Sequence, residues 1–173
     1  MSVEEELQEH AEHAKDPFDR KVALTMAVIA ALMAIVSVTG HILTTDELLA
    51  QQKASDQWSY YQAKSIRRYE SDIARDMLAA ANAGAAAINK YGANVERYEK
   101  EGEEIQVEAR KLEQESHLRG AQAFRTHIGE VFLEIGIVLA SLAILTKRRV
   151  MWHSSMGSAS LGALIALTAL AVH

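Results

Sequence analysis

Three long apolar segments constrain the fold of this chain more than any other feature of its sequence. Residues 22–43, 128–146 and 150–172 are almost free of formal charge, whereas residues 44–127 carry acidic and basic side chains throughout. A helix needs roughly 20 apolar residues to cross the hydrocarbon core of a bilayer, and each segment is about that long. This segregation excludes a soluble enzyme domain built around one compact core.

The first apolar segment, Val22 to Leu43, follows a clear helix start. Asp16 can cap a helix, and Pro17 suits the first helical position. A buried core helix is the alternative interpretation, but no other apolar surface in the chain could cover all of its faces. The segment is also longer than the roughly 7–15 apolar residues of a signal peptide, and no A-x-A site follows it. We therefore expect a retained transmembrane helix.

The second and third apolar segments are separated by only three basic residues, Lys147–Arg149. Such a short connection predicts two antiparallel helices that are neighbours. The third segment also carries small residues at spacings that let helix backbones approach closely in lipid. The small residues predicted to pack in this way are Ser155, Ser158, Ala159, Gly162, Ala163 and Ala166.

The charged central stretch, residues 44–127, predicts a long antiparallel helical hairpin. Thr44 or Thr45 can cap its first helix, and Asn82 and Gly84 are the best candidates for its turn. Apolar and aromatic residues recur three and four positions apart in both arms, which is the heptad pattern of a coiled coil. The residues predicted to form the seam are Ile66, Tyr69, Ile73, Met77, Ile88, Tyr91, Val95, Tyr98, Ile105, Ala109 and Leu112.

Together these patterns predict an all-α membrane protein with three transmembrane helices and a coiled-coil hairpin between the first and the second. One pair of helices buries little apolar surface for its length. We therefore expect copies to pack through the hairpin and the transmembrane helices as a symmetric homo-oligomer. The predicted boundaries are an acidic amino-terminal segment over 1–21, transmembrane helices over 22–43, 128–146 and 150–173, the hairpin over 44–127, and a basic loop over 147–149.

Basic residues near the ends of the apolar segments predict the orientation in the membrane. Lys15, Arg20 and Lys21 precede the first segment. The basic loop at 147–149 returns to the same side after two crossings. We therefore expect the amino terminus and this loop in the cytoplasm, with the hairpin and the carboxyl terminus across the membrane.

One face of the second apolar segment carries ionisable residues. His127, Glu130 and Glu134 are three and four positions apart, and His41 ends the first segment near the same membrane surface. Ionisable groups at membrane depth are costly and usually face a bundle interior or water. This predicts a proton, cation or metal site. The alternative is that His127 and Glu130 lie among lipid headgroups, while Glu134 is paired or protonated one turn further in.

The amino-terminal segment contains a second candidate metal site. His10 and His13 are three positions apart with acidic neighbours, but a metal normally needs three or four ligands in fixed geometry. A solvated acidic helix explains the segment equally simply. The chain has no Cys, and no phosphate-binding loop or hydrolase motif occurs in it. We expect no enzymatic activity, no cofactor and no nucleic-acid partner.

Two stretches of the sequence resemble a known family. They are DPFDR at 16–20 with the following KVALTMAVIAALMAIVSVTGH, and QQKASDQWSYYQAKSIR at 51–67. Both resemble the bacterial membrane-protein family catalogued as domain of unknown function number 4337, and the resemblance covers essentially the whole chain. It implies a small bacterial inner-membrane protein with a long central coiled segment. It implies no activity and no site residues, because the family has none assigned.

We therefore expect a homo-oligomeric inner-membrane protein whose periplasmic hairpin is a scaffold or partner-docking element. Its expected partners are membrane lipid, further copies of itself and other membrane proteins. One alternative is a conduit for ions or small solutes along the face of His127, Glu130 and Glu134. Another is an accessory subunit of a larger membrane complex.

Overall fold

The computed structural model of the protein describes residues 16–172. In this part of the chain there are three α-helices and no strand. The helices are α1 over Pro17–Ala80, α2 over Ala85–Thr146 and α3 over Arg149–Thr168, which continues into a 3-10 turn over Ala169–Ala171. All three contain a stretch long enough and apolar enough to cross a membrane, judged by length and composition.

Helix α1 begins where the sequence predicts and then continues without interruption. The Phe18 amide donates a hydrogen bond of 2.9 Å to the Asp16 carboxylate, which confirms the predicted cap. The prediction that a helix starts at Thr44 or Thr45 is wrong. The Thr44 hydroxyl instead donates to the Gly40 carbonyl at 3.0 Å, since a residue inside a helix has no unpaired backbone N–H to cap.

The connection between α1 and α2 is a tight turn over residues 81–84. Asn82 adopts a φ of 53°, in the left-handed region that Asn tolerates better than most residues. The Ala83 amide closes the end of α1 by donating to the Leu78 carbonyl at 2.9 Å. Asn82 thus confirms the predicted turn, whereas Gly84 has no positive φ.

The described chain divides into two compact units. We call residues 16–44 with 119–172 the apolar unit, and Thr45–Leu118 the hairpin unit. In the apolar unit the three helices meet through small buried clusters. One cluster has Val22, Ala140 and Ala143 at its centre, and the other has Ile29, Leu133 and Ala159.

In the hairpin unit, the first arm (residues 45–80 of α1) runs antiparallel to the second arm (residues 85–118 of α2). Polar side chains join the two arms along their length. The Trp58 indole donates to Glu113 at 2.8 Å, and the Arg68 guanidinium donates to Glu99 at 3.1 Å. The Lys64 ammonium lies 2.5 Å from the Glu101 carboxylate. That hydrogen bond is the main cause of a raised pKa at Lys64 and a lowered pKa at Glu101.

The predicted seam residues of the second arm all face the interior of the hairpin unit. Gly102 is buried between them, with the Tyr61 ring 3.5 Å from the position that a side chain at Gly102 would occupy. The heptad spacing of this arm therefore describes its inner face. The seam residues found buried or half-buried there are Ile88, Tyr91, Val95, Tyr98, Ile105, Ala109 and Leu112.

The predicted seam of the first arm is wrong. Ile66, Tyr69, Ile73 and Met77 are 58, 57, 56 and 67% exposed. We call these four residues the outer stripe. The first arm carries two periodic faces, and only one of them can meet the second arm. The face found against the second arm is the polar one, on which Lys64 pairs with Glu101 and Arg68 with Glu99. The inner residues of this arm include Ala54, Tyr61, Lys64, Arg68 and Ser71.

Candidate functional site

A cluster of polar side chains lies between α1 and α2 within the apolar unit. The His127 imidazole Nε2 lies 3.1 Å from the Thr44 hydroxyl. Its Nδ1 lies 3.3 Å from the Glu130 carboxylate. The Glu130 carboxylate is also within hydrogen-bonding reach of the Ser37 hydroxyl. We call Ser37, His41, Thr44, His127 and Glu130 the polar cluster.

The position of His127 depends on a glycine in the facing helix. A methyl group added at Gly40 would lie 3.1 Å from the His127 ring and 3.4 Å from the Thr126 side chain. The absence of a side chain at Gly40 therefore lets the imidazole lie against the α1 backbone. The His41 ring stands edge-on to it, with 6.3 Å between the ring centroids. The structure thus brings together the two histidines that the sequence placed near one membrane surface.

Glu134 does not join this cluster. Its side chain is exposed, whereas the Glu130 side chain is only 20% exposed. Four residues advance a helix by about 6 Å along its axis and by about 40° around it, so Glu134 lies one turn from Glu130 and on the same face. The predicted common face of His127, Glu130 and Glu134 therefore fits the helix geometry, and a role for Glu134 in the same site stays a prediction.

The groups of the polar cluster can donate and accept hydrogen bonds in series. The Thr44 hydroxyl, the His127 imidazole and the Glu130 carboxylate follow one another within hydrogen-bonding distance. Among residues 16–172, no group of three or more His, Asp or Glu side chains is placed to hold a metal ion. The candidate ligands His10 and His13 lie outside the described residues.

A second polar site joins the start of α1 to the connection between α2 and α3. The Lys147 ammonium donates to Asp19 at 2.5 Å and to Asp16 at 3.1 Å. The hydrogen bond to Asp19 is the main cause of a raised pKa at Lys147. The Phe18 amide, followed by Lys147, lowers the pKa of Asp16. One member of the predicted basic loop is therefore used in an internal ion pair.

The six small residues predicted to pack in the third apolar segment lie on α3 as buried or half-buried positions. The Ser158 hydroxyl donates to the Phe132 carbonyl of α2 at 2.7 Å. A methyl group added at Gly162 would lie 2.6 Å from the Gly129 carbonyl, and one at Gly136 would lie 3.3 Å from Ala159. The two helix backbones are therefore in direct contact.

Sequence reasoning missed the residues that complete these sites. Gly129 and Gly136 are seven positions apart and form the α2 side of the contact with α3. That heptad spacing was a readable signal. Ser37 and Thr44 are also seven positions apart in α1, but no pattern singles out hydroxyls of this kind until their partners on α2 are known.

The comparisons with known proteins place the chain in a family. Neither the search of curated proteins nor the search of solved structures found a match. A family model matches residues 18–172, which include all three helices after the first residue of α1. The match covers the second stretch that carries the sequence resemblance and all of the first except Asp16 and Pro17. The chain therefore belongs to the family described as domain of unknown function (DUF4337).

Proposed function

We propose that this protein is a non-enzymatic, homo-oligomeric membrane protein whose hairpin unit is a scaffold and docking element. The observation that carries the proposal is the outer stripe. It places four large, mostly exposed apolar side chains on one face of a helix, while the inner face of the same arm contains lysine and arginine. A contiguous exposed apolar surface of this kind marks an interaction site.

Insertion in a membrane is supported by the outside of the apolar unit. Leu24, Val28, Ile35, Leu161 and Leu164 are all exposed large apolar residues of its helices. Water would solvate these faces poorly, whereas lipid tails match them. Lipid is therefore the first partner of the apolar unit.

The orientation follows from the basic residues that flank the apolar stretches. Arg20 and Lys21 precede the first stretch, and Arg148 and Arg149 separate the second from the third. Because basic residues are retained on the cytoplasmic side, the amino terminus and this loop are cytoplasmic and the hairpin unit is periplasmic. The bacterial inner membrane is the location that the family resemblance implies.

The exposed carboxylate of Glu134 supports an oligomer. This side chain lies on the outside of a single copy, within an apolar stretch of α2. A carboxylate at membrane depth is stable only where it faces water, a partner or a bundle interior. Packing of several copies supplies such an interior without any change in the helices of one copy.

The test is the mass of the complex, measured by native mass spectrometry after gentle extraction with lipid retained. We expect one symmetric homo-oligomer for the wild-type chain. Ile73→Asp, which places a charge in the outer stripe, should give smaller species. Val107→Asp is the matched control, because Val107 is 69% exposed on the second arm, outside the stripe, and should leave the mass unchanged.

Three results would contradict this proposal. A monomeric mass for the wild-type chain would contradict the proposed homo-oligomer. Repeated recovery of this chain with other proteins would instead favour an accessory subunit of a larger membrane complex. Equal masses for wild type and Ile73→Asp would show that the outer stripe is not the docking face.

A second function, conduction of protons or cations, is favoured by the polar cluster. Glu130 and His127 are hydrogen-bonded at one end of the apolar stretch of α2, where a carboxylate at membrane depth is costly. If this cluster carries ions, Glu130→Gln in liposomes should lower the flux strongly. Glu104→Gln is the control, because Glu104 is an exposed carboxylate of the hairpin unit, outside the apolar unit. The absence of flux with the wild-type protein would remove this function.

A further inference from the structure

We propose that the outer stripe of one copy packs against the outer face of the second arm of the neighbouring copy, at equal height along the hairpin. This inference rests on the proposed homo-oligomer, and it names the surface that receives the stripe. That surface is an exposed row on the second arm, Lys90, Ala93, Arg97 and Lys100, which we call the basic row.

The basic row is a continuous face of the second arm. Its members are three, four and three positions apart, so they share one side of the helix. They alternate with the inner residues Tyr91, Val95 and Tyr98, which are half-buried against the first arm. The hairpin unit therefore has an apolar outer face on one side and a basic outer face on the other.

Contacts within the hairpin unit show that the two faces lie at the same height. Arg68 pairs with Glu99, and the Arg75 side chain lies 4.0 Å from the position of a side chain at Gly92. Ile73 falls between these two pairs and is therefore level with Ala93.

In a cyclic assembly whose axis runs along the arms, residues of equal height meet. The contact is heterologous, because the outer stripe of each copy meets the basic row of the next. Such contacts form a closed ring when the rotation between neighbouring copies divides a full turn evenly. Each copy then uses both of its outer faces.

The side chains at these heights are complementary. The small Ala93 of one copy lies opposite the large Ile73 of the next. The methylene stems of Lys100 and Lys90 cover Ile66 and Met77, while their ammonium groups stay in water.

The charges favour the same pairing. Glu70 is four positions from Ile66 and three from Ile73, so it borders the outer stripe on the same face. At equal height it meets Arg97 of the neighbouring copy, an opposite charge. The competing arrangement, stripe against stripe between two parallel copies, would place Glu70 against its own counterpart, and like charges in that position are unfavourable.

The chain contains no Cys, so introduced cysteines report the contact directly. Two differently tagged chains, one Ile73→Cys and the other Ala93→Cys, are co-expressed and oxidised in native membranes. We expect a disulfide between the two tags. Both positions point outward from opposite sides of one hairpin, so the same disulfide cannot form within a copy.

The matched control pairs Ile73→Cys with Val107→Cys. Residue 107 is also exposed on the second arm but is 14 positions from Ala93, about 21 Å along the helix. This pair should give at most a tenth of the cross-linked product. Cross-linking of Ile73→Cys to itself would show stripe against stripe and would overturn the inference.

A charge exchange supplies a second measurement. Arg97→Glu should raise the concentration at which the oligomer dissociates a few-fold, as expected for one exposed ion pair per contact. Adding Glu70→Arg in the same chain should restore it. An intact oligomer that forms no cross-link between residues 73 and 93, and whose dissociation is unchanged by the charge substitutions, would overturn this inference alone. A monomeric wild-type protein would overturn the proposed function itself.

Discussion

Lys147 shows how one side chain can hold several helices together. It adopts a φ of 52°, a left-handed conformation that is uncommon outside Gly, Asn and Asp. From there its ammonium reaches Asp16 and Asp19 at the start of α1. The left-handed backbone at Lys147 therefore places its ammonium where it can form both ion pairs, and these pairs join the start of α1 to the connection between α2 and α3.

Lys147→Asn removes the charge of this residue but keeps its backbone conformation, because Asn tolerates a positive φ well. We expect the variant to melt at a lower temperature than wild type at pH 7 in detergent. Arg149→Gln, a change of charge two positions away, is the control and should change the melting temperature much less. Equal melting of Lys147→Asn and wild type would show that the ion pairs do not stabilise the fold.

The same pair of proteins should differ in a pH-dependent way. The pKa of Asp16 is lowered in the folded chain. The ionised Asp16 therefore contributes to the stability of the fold above pH 3.8, the ordinary pKa, and this contribution is lost as the pH falls through the folded pKa. The pKa of Lys147 is raised. The charged Lys147 therefore contributes to the stability of the fold below pH 10.5, the ordinary pKa, and this contribution is lost as the pH rises through the folded pKa. The difference in melting temperature should therefore be largest between about pH 4 and 10. A difference that stays constant down to pH 2 would contradict this account.

At the scale of the helices, the contact between α2 and α3 depends on small residues. Gly129 and Gly162 lie where any side chain would meet the facing backbone at 2.6 Å. In lipid, helix association relies on close packing, because the surrounding tails are as apolar as the helices. The two glycines therefore set the distance between the helix axes.

Gly162→Ala should lower the stability of the apolar unit by about 1–3 kcal/mol, because the added methyl group forces the backbones apart. Gly157→Ala is the matched control in the same helix. Nothing lies within 4 Å of a side chain at that position, so the change should stabilise by up to about 1 kcal/mol. Thermal unfolding in detergent measures both. Similar melting temperatures for the two variants would contradict the backbone contact.

At the scale of the whole molecule, the proposed topology places the hairpin unit and the 147–149 connection on opposite sides of the membrane. Ser59 and Arg149 are exposed residues of these two regions. Basic residues close to the apolar stretches determine which side is cytoplasmic. The absence of native Cys makes this arrangement easy to test.

A membrane-impermeant maleimide applied to intact spheroplasts should label Ser59→Cys. It should label Arg149→Cys only after the membrane is opened. Labelling of Arg149→Cys alone in intact spheroplasts would reverse the orientation. Equal labelling of both variants before and after opening would contradict a membrane-spanning arrangement.

Much of the fold could be predicted from local sequence. The cap at Asp16, the turn at Asn82 and the inner face of the second arm each follow from the chemistry of a few neighbouring residues. The packing face of α3 was also visible as a run of small residues. These features are local because a cap, a turn or a helical face depends on residues within a few positions of one another.

The candidate sites were less predictable. His127 and Glu130 were expected together, but Ser37 and Thr44 were not, and Glu134 was expected in the same site although its side chain is exposed. A helical face about 100° wide admits several residues, and only the position of the facing helix selects among them. Gly40 makes that selection here, because it lets the His127 ring approach α1.

The sequence by itself determined the three apolar stretches, the turn at Asn82 and the family. Only the tertiary structure decided which of the two periodic faces of the first arm meets the second arm, and so left Ile66 and Ile73 outside. The spacing of apolar residues shows that a helix has an apolar face, but it does not show what that face contacts. The pairing of Lys64 with Glu101 across the hairpin depends on residues far apart in the chain. Which face is used is therefore a property of the paired arms and cannot be read from either arm alone.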